Sequence, residues 1–445
     1  MESQILTFPG TGEEIQRVQL VRFDSWSELN FWQPEPSAEA FSCFRHIYQQ
    51  YLIPAAPWVF GSLVMFRLPE GLQVPEALMA PWKGRVEDPL AVAALTLRRG
   101  ILVVGRKPLF RDAATRQLWQ LLEENGCVSI VKGKLPILTS IIPVANTAGF
   151  LTGSEPGAQL KVNASFFIMD PFDCATAFDH IGIPFGLLVK NGIVENPPLY
   201  TREALLVRRD GSVEIEIPRL PQMKIRIGNR VYIHGENASF YSRPAHFRSP
   251  PGRKALVITG RTVTAVYEGS APIPCSGFVL CPDGECPARP GDTVTYEGME
   301  DVVFGIQVGN SIVRNGTKTE KFISRFFNIK GLQRIAYPPC LYPLDFQNAR
   351  AARIALGADA QGKPMLLWAE GAAKLGHVPG QDSQGVSLSD MADLCARVGM
   401  VNAVNLDGGG SAQLLLNNKR SLHISDRNTD CTESQRPVPL GLIVK

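Results

Sequence analysis

Short apolar runs alternate with glycine, asparagine and proline turns over most of the chain from about residue 159 onwards. Leu160–Asn163, residues 185–189 and Ala204–Arg208 are such runs, and Asn-Gly or Asp-Gly pairs follow the second and the third. These dipeptides between apolar runs are typical of β-hairpins. We therefore expect this part of the chain to consist mainly of short strands.

One late segment has the spacing of an amphipathic helix instead. Ser387 or Ser389 can cap its start and Gly399 can end it, and its apolar positions recur at helical intervals: Leu388, Met391, Leu394, Cys395 and Val398. The segment runs directly into the apolar stretch 401–406. We predict a helix that braces a strand formed by that stretch.

The first 140 residues have a different pattern of apolar and polar positions. Their pattern predicts helices at 37–52 and 112–125, a hairpin from 91–97 and 101–104, and strands at 17–22 and 127–132. A chain of 445 residues is long enough for two domains. We therefore predict an α+β protein in which a small α/β domain of unknown role, residues 1–140, precedes a strand-rich, mixed-sheet catalytic domain with few helices, residues 155–445.

The most unusual stretch is 401–416, VNAVNLDGGGSAQLLL, in which Asp407, three glycines and Ser411 separate two apolar runs. Gly408, Gly409 and Gly410 have no Cβ, so the backbone can adopt positive φ and a ligand can approach closely. A tight hairpin with a structural aspartate is the alternative, but a hairpin needs only one or two glycines. The pattern favours an active-site loop.

Composition excludes some classes of function. The net charge is +3, and charged residues make up 20% of the chain, so we expect no nucleic-acid or membrane partner. The N-terminus lacks a basic region followed by an apolar one, and no apolar run approaches the roughly 20 residues that span a bilayer. We expect a cytoplasmic location, and the nine scattered cysteines fit reduced thiols.

Cys275, Cys281 and Cys286 form the only cysteine cluster in the sequence. Their spacing matches no common zinc pattern, which usually begins with C-x2-C or C-x4-C. Small buried residues are the better interpretation, and we predict no metal site.

Several motifs, in order, carry a resemblance to a known family. NLDGGGS at 405–411 resembles the signature of the phosphodiester glycosidase family, and five further stretches resemble its other elements: VNASFF at 162–167, PFGLLVKNG at 184–192, RIALG at 353–357, GVSL at 385–388 and QRPV at 435–438. The resemblance covers about residues 155–445 and thins between about 215 and 345. Ala164 and Ser165 replace two family glycines, and Gln435 replaces an acid.

The resemblance implies an enzyme that hydrolyses a sugar 1-phosphodiester to free sugar and a phosphomonoester. The phosphate departs as a stable anion, so positive charge and hydrogen-bond donors can largely replace the general acid of other glycosidases. On this reading Arg353 and Arg436 clamp the phosphate, helped by Ser411 and the backbone N–H groups of Gly408, Gly409 and Gly410. Asp407 orients or deprotonates the attacking water, or attacks C1 itself.

Three further residues complete the predicted site. Asn163 holds a sugar hydroxyl or the water and counts with Asp407 and Arg353 among the catalytic residues. Phe167 forms a pocket wall, and Glu370 is a possible second carboxylate. Each position also has a structural interpretation: Arg353 can pair with Asp407, Arg436 can fix the last strand, Asn163 can serve a turn, and Glu370 is better read as structural.

Two other functions remain open at this point. The same pocket could bind a phosphorylated glycan or nucleotide sugar without turnover. A metal-dependent phosphodiesterase that cleaves P–O is a weaker alternative, because the sequence lacks the His/Asp clusters of two-metal sites. The expected partner is a small molecule or glycan carrying a sugar 1-phosphodiester. The cofactor requirement is left open.

Overall fold

The computed structural model describes residues 1–10, 12–35, 148–152, 155–168, 176, 178–179, 182–200, 202–243, 245–319, 348–371, 376–428 and 430–445, and the backbone of three strands between residues 64 and 130. The predicted helices at 37–52 and 112–125, and the apolar run 91–97, lie outside the described residues.

The described residues are mostly strands. In chain order these are β1 (Glu2–Pro9), β2 (Ile15–Arg22), β3 (Asn30–Trp32), β4 (Val64–Arg67), β5 (Ile101–Val104), β6 (Val128–Ile130), β7 (Leu160–Asn163), β8 (Leu188–Lys190), β9 (Ile193–Asn196), β10 (Ala204–Arg208), β11 (Val213–Glu216), β12 (Lys224–Ile227), β13 (Arg230–Ile233), β14 (Ala238–Ser242), β15 (Lys254–Thr259), β16 (Thr262–Glu268), β17 (Phe278–Pro282), β18 (Val294–Glu297), β19 (Val302–Gln307), β20 (Ser311–Arg314), β21 (Thr317–Lys318), β22 (Arg353–Ala358), β23 (Pro364–Ala369), β24 (Asn402–Asn405), β25 (Leu414–Leu416) and β26 (Gly441–Val444). The α-helix α1 is Leu388–Arg397, and short 3-10 helices are Trp26–Glu28, Leu220–Gln222 and Gly409–Ser411.

A seven-stranded sheet, in the order β1-β2-β23-β22-β24-β20-β21, forms the centre of the fold. Its strands β22, β23 and β24 are buried throughout because both faces of the sheet are covered. On one face Ala355 and Leu367 pack against Leu388 and Met391 of α1. The other face packs against a second sheet, as described below.

Helix α1 agrees with the predicted one. The Ser387 hydroxyl accepts from the Asp390 N–H, and the Asp390 carboxylate accepts from the Ser387 N–H, so Ser387 is the cap. Gly399 follows the last turn with φ +91°, a conformation that ends many helices.

The first 22 residues are built into the central sheet. Strand β2 pairs with β23 from Val18, which is opposite Ala369, to Arg22, which is opposite Met365. This segment falls in the range 1–140 that sequence reasoning assigns to a separate domain. A three-stranded sheet, β5-β4-β6, also lies in that range, where Ile101–Val104 pairs with Val64–Arg67. The separate N-terminal domain stays a prediction for the rest of the range.

A four-stranded sheet, β25-β7-β26-β3, packs on the other face of the central sheet. Leu160, Val162 and Leu414 of this sheet share one core with Leu356 and Val404 of the central sheet. Strands β24 and β25 therefore belong to different sheets. The glycine-rich segment between them crosses from one sheet to the other and is not the turn of a hairpin.

The remaining strands form a β-rich lobe. The sheet β11-β10-β19-β8-β9 shares a core with two small sheets, β13-β12-β18 and β14-β17-β15-β16. The small sheets come from the chain between β11 and β19, where the family resemblance thins. The predicted strand-rich α+β class is confirmed, although each strand pair within the described residues is antiparallel. Among the described helices, none has the length and apolar character needed to cross a membrane.

Candidate active site

The segment from Asp407 to Gln413, here called the glycine loop, connects the two sheets and is hydrogen-bonded to both. The Asp407 N–H donates to the carbonyl of Ala164, directly after β7, at 2.9 Å. The Gly409 N–H donates to the carbonyl of Ala352, directly before β22, at 2.8 Å. The loop is thus held between the two sheets at their shared edge.

Asn163, at the end of β7, bridges the two ends of the glycine loop. Its Nδ2 donates to the carbonyl of Asp407 at 2.8 Å, and its Oδ1 accepts from the N–H of Gln413 at 2.9 Å. Because one partner can only accept and the other can only donate, these contacts fix the orientation of the amide. Asn163 is 1% exposed, and both ends of its amide hold the loop. Its predicted contact with substrate stays a prediction.

Each of the three positions, 408, 409 and 410, requires glycine for a physical reason. Gly409 has φ +61°, in the left-handed region, and open space where a Cβ would point. A Cβ on Gly408 would lie 2.7 Å from the Ala352 carbonyl oxygen. A Cβ on Gly410 would collide with the Asp426 carboxylate and the Arg436 guanidinium. The backbone thus needs glycine once for conformation and twice for space.

The N–H groups of the loop are partly used within the protein. Gly409 donates to Ala352, and Ser411 donates to the Gly408 carbonyl at 3.2 Å. The Gly408 N–H is directed at the carboxylate of Asp407. These three groups already have acceptors, so the prediction that the loop's N–H groups receive a phosphate has less support than its sequence suggests.

Asp407 is half-buried at the mouth of the loop. Burial raises the pKa of its carboxyl to about 7, although a hydrogen bond from the Ser411 side chain, the charge of Arg436 and the Gly408 N–H each act to lower it. A carboxyl with a pKa near 7 exchanges its proton at neutral pH, which suits a general acid or base. This is the main chemical property of the site.

Arg436 lies beneath the loop in an ion pair that sequence reasoning missed. Its Nε and Nη2 contact the two oxygens of Asp426 at 3.0 and 3.2 Å, and both side chains are largely buried. Asp426 precedes Arg436 by ten residues in a segment with no apolar periodicity, so no local pattern singles it out. The arginine predicted to clamp a phosphate is therefore already bound to a carboxylate on one edge.

Arg353 lies across from Asp407 in the central sheet. Ala355 is opposite Asn405, and the bond from the Leu406 N–H to the Ile354 carbonyl extends that pairing by one residue. The Arg353 side chain is buried, and its Nε and Nη2 donate to the carbonyls of Val386 and Ala349 at 3.2 and 2.9 Å. These bonds connect the strand to the segment before α1. A contact with phosphate remains a prediction.

Glu370 is 1% exposed, and its carboxylate accepts from three elements. Arg17 Nε on β2 donates to it at 2.7 Å, the Ser383 hydroxyl donates to the same oxygen, and the His423 N–H donates to the other at 2.7 Å. This arrangement supports the structural interpretation of Glu370.

The two phenylalanines after Asn163 have different environments. Phe166 packs in a cluster with Phe185 and Tyr200, so it belongs to the core. Phe167 is also buried, at 7% exposure, and pairs with Pro184 through an isolated bridge. Its role as a pocket wall stays a prediction.

Three buried polar atoms in or beside the loop have no hydrogen-bond partner in the protein: the Ser165 hydroxyl, Asn405 Oδ1 and Gln413 Oε1. Asn405 Nδ2 donates to the Leu406 carbonyl at 2.9 Å, which identifies the unpaired atom as the amide oxygen. Ser165 stands where the family has glycine. Enclosed atoms of this kind are commonly satisfied by an internal water.

Within the described residues, no group of three or more His, Cys, Asp or Glu side chains has the arrangement to hold a metal ion. Cys275, Cys281 and Cys286 are buried thiols, and the Cys286 Sγ lies 3.0 Å from the Tyr232 hydroxyl.

The comparisons with known proteins bear on the same part of the chain. The sequence profile of the phosphodiester glycosidase family matches residues 276–445. This part of the chain is similar to the phosphodiester glycosidase family. The matched residues include Asp407, Arg353 and Arg436, and the resemblance inferred from the motifs is confirmed there. Asn163 and Phe167 precede the matched residues, and Asn163 joins the phosphodiester glycosidase motif through its bond to Asp407.

Two curated relatives are enzymes of known name. The N-acetylglucosamine-1-phosphodiester alpha-N-acetylglucosaminidase of Bos taurus is 41% identical over 86 residues, and that of Homo sapiens is 36% identical over 85 residues. Each match spans 19% of this chain and 15% of the relative. The chain thus covers only a small part of their length.

Among solved structures, the catalytic domain of the zebrafish enzyme of the same name is a neighbour. It has 12% sequence identity and a TM-score of 0.35, with all of this chain and 82% of that chain covered. A hypothetical protein from Synechocystis has 19% identity and a TM-score of 0.37, with 68% of this chain and 56% of that chain covered.

Proposed function

We propose that the protein is a hydrolase of the phosphodiester glycosidase type, which converts a sugar 1-phosphodiester into free sugar and a phosphomonoester. The observation that carries the proposal is Asp407. Its carboxyl, with a pKa near 7, lies at the mouth of a glycine loop inside the segment that matches the family. The names of the matched relatives suggest N-acetylglucosamine 1-phosphodiesters as the first substrates to test.

Asp407 suits proton transfer from water better than direct attack on the sugar. Both roles need the ionised carboxylate, but its raised pKa, about 7, makes the carboxylate of Asp407 a stronger proton acceptor than an ordinary aspartate. A general base works best when its pKa lies near the working pH. We infer that Asp407 removes a proton from a water molecule that attacks C1, while the phosphate leaves as an anion. Attack by Asp407 on C1 is the alternative.

The product's anomeric configuration separates the two roles. Direct attack of activated water at C1 inverts the configuration, whereas attack by Asp407 followed by hydrolysis retains it. Proton NMR of the freshly released sugar, before mutarotation, would report which anomer forms. An inverted product supports the water-activation role, and a retained product indicates two successive displacements.

Arg436 and Ser411 are the groups we assign to the phosphate side. The Arg436 guanidinium lies directly against Gly410 of the glycine loop, close enough to act on a phosphate bound at that loop. Positive charge at the departing oxygen lowers the need for a protonated leaving group. Arg353, which lies across the sheet from Asp407, can add to the positive potential from its buried position.

Hydrolysis in 18O-water tests the reaction itself. The proposal predicts the label in the C1 hydroxyl of the sugar, because water attacks carbon and the C–O bond breaks. Label in the phosphate would mean P–O cleavage and would overturn the glycosidase assignment. Running the reaction with and without a chelator would determine whether a metal ion is required.

A binding function without turnover is the second candidate. Ala164 and Ser165 replace two glycines of the family motif, and the N–H groups of Gly409 and Ser411 are already used inside the loop. Both features reduce the number of groups available to a transition state. Saturable binding of a sugar 1-phosphodiester by calorimetry, without release of sugar, would favour this function.

A further inference from the structure

We propose that Asp426 is a charge-balancing residue: it pairs with the Arg436 guanidinium beneath Gly410 and offsets part of the positive charge that acts on Asp407. The proposal rests on the proposed function only for its effect on activity. Its structural part, the effect of Asp426 on Asp407 through Arg436, can be tested without turnover.

The contact between Asp426 and Arg436 fixes the guanidinium in two directions. Nε lies 3.0 Å from Oδ2, and Nη2 lies 3.2 Å from Oδ1 and 2.9 Å from Oδ2. The side chains are 9% and 12% exposed. A carboxylate that meets two nitrogens of a planar guanidinium restrains its plane as well as its distance.

Gly410 allows the backbone of the glycine loop to pack directly against this ion pair. A Cβ at this position would collide with both oxygens of Asp426 and with Nη2 of Arg436, so the backbone of the loop lies directly on the ion pair. A loop residue of any other type would have to displace the pair or the turn. The third glycine of the motif is therefore explained by Asp426 as much as by Arg436.

The backbone around the pair gives a second line of support. The Ser434 N–H donates to the carbonyl of Asp426 at 3.0 Å, so the two arms of the segment are connected beside the ion pair. The carbonyl of Arg436 accepts from Gln413 Nε2 at 2.7 Å, and the Gln413 N–H is bound to Asn163. Arg436 is thus fixed at its backbone by the loop and at its side chain by Asp426.

Asp426 also balances charge. Three groups act on the Asp407 carboxyl: the Ser411 hydroxyl, the Arg436 guanidinium and the Gly408 N–H. Arg436 stabilises the ionised form of Asp407, and the Asp426 carboxylate offsets part of that positive charge. Without Asp426, a guanidinium that stayed in place would favour ionisation of Asp407 more strongly.

The two members of the pair therefore have opposite effects on Asp407. Asp426→Asn should move the pKa of Asp407 down, and Arg436→Gln should move it up, each by about half a unit to one unit. A merely structural role predicts shifts of one sign, or none, with both substitutions. The measurement is 13C NMR of the full chain with labelled aspartate carboxyls, with Asp407→Asn used to assign the resonance.

Glu433→Gln serves as a matched control. Glu433 forms ion pairs with Arg420 and His423 in the same segment, so the substitution breaks a partly buried pair there. It should leave the Asp407 titration unchanged. If Asp426→Asn does not fold, Asp426→Glu keeps the charge while changing the reach of the side chain, and Gly410→Ala displaces the pair from the loop side; each should alter the Asp407 titration.

Opposite shifts with an unchanged control would establish the charge-balancing role. Upward shifts in both folded variants, or no shift in either, would overturn it. The outcome does not depend on catalysis: opposite shifts without turnover would support the charge-balancing role and remove the proposed function, and turnover with no shift would do the reverse. Where turnover is observed, the acid limb of the kcat/KM profile should move in the same direction as the Asp407 titration.

Discussion

The side-chain amide of Asn163 donates to the main-chain carbonyl of Asp407 at 2.8 Å, although 244 residues separate the two in the chain. Asn163 ends β7 and Asp407 follows β24, and these two strands belong to different sheets that share one core. The other end of the same amide accepts from Gln413, so one buried side chain fixes both ends of the loop that carries the candidate catalytic carboxyl.

Asn163→Ala should destabilise the protein by about 1–3 kcal/mol, because a buried donor and a buried acceptor of the loop lose their partner. It should also lower activity, since Asp407 is no longer held. Urea unfolding measures the first effect, and turnover at saturating substrate measures the second. Asn30→Ala, which removes one local bond to the Glu28 carbonyl, is the control and should cost less. Equal losses in the two variants would contradict a special role for Asn163.

The protonation of Asp407 should make stability depend on pH. Its folded-state pKa, about 7, lies above the usual value of about 3.9 for an unfolded chain. The folded state therefore holds the proton more tightly, and the stability gained by protonation is present below about pH 4 and is lost as the pH rises to about 7. The difference in unfolding free energy between wild type and Asp407→Asn should change over this window. A difference that stays constant across the window would mean that the folded-state pKa is not raised.

Gly410→Ala should mainly reduce activity, whereas Gly409→Ala should mainly reduce stability. The first inserts a methyl group where Asp426 and Arg436 lie, so it should reduce activity by about 100-fold or more through a displaced loop. The second has open space but a positive φ, so it should cost about 1 kcal/mol of stability. Circular dichroism melts and turnover separate the effects. Gly284→Ala, at an open position without positive φ, is the control. Full activity in Gly410→Ala would contradict the packing described here.

Glu370→Gln should affect stability and leave the chemistry intact. The substitution leaves Arg17 facing a neutral group and weakens the contacts to Ser383 and His423, which should cost about 3 kcal/mol or more. Because the Glu370 carboxylate has no part in the proposed reaction, kcat of the folded variant should stay within about twofold of wild type. Thermal unfolding and steady-state kinetics provide the two values. Glu297→Gln, which breaks an exposed pair with Arg226, should cost less than about 1 kcal/mol. A large fall in kcat with normal stability would make Glu370 a catalytic residue instead.

Much of the central fold could be predicted from local pattern. Strands β22 and β23 are continuous apolar runs because both of their faces are buried, and α1 carries its capping serine and its terminal glycine in the sequence. Strand β1 was missed because its residues are mostly exposed at the edge of the sheet. Exposure of this kind leaves no apolar alternation to read.

The candidate site was only partly predictable for a related reason. Asp407, the glycines and Ser411 are contiguous, so their motif is visible in the sequence. The placement of β24 and β25 in different sheets, and the pairing of Asp426 with Arg436, depend on contacts between segments that follow no short-range period. Sequence reasoning could therefore name the arginine but could not name the carboxylate that holds it.

The most direct test of the central claim compares wild type with Asp407→Asn on a small panel of sugar 1-phosphodiesters. The panel includes the methyl diester of N-acetylglucosamine 1-phosphate and a nucleotide sugar, and free sugar is measured with and without chelator. Asp393→Asn, a surface substitution that breaks an exposed pair with Lys318, is the matched control. The account predicts free sugar from wild type and the control, and at least about 100-fold less from Asp407→Asn. Equal turnover by wild type and Asp407→Asn would contradict it.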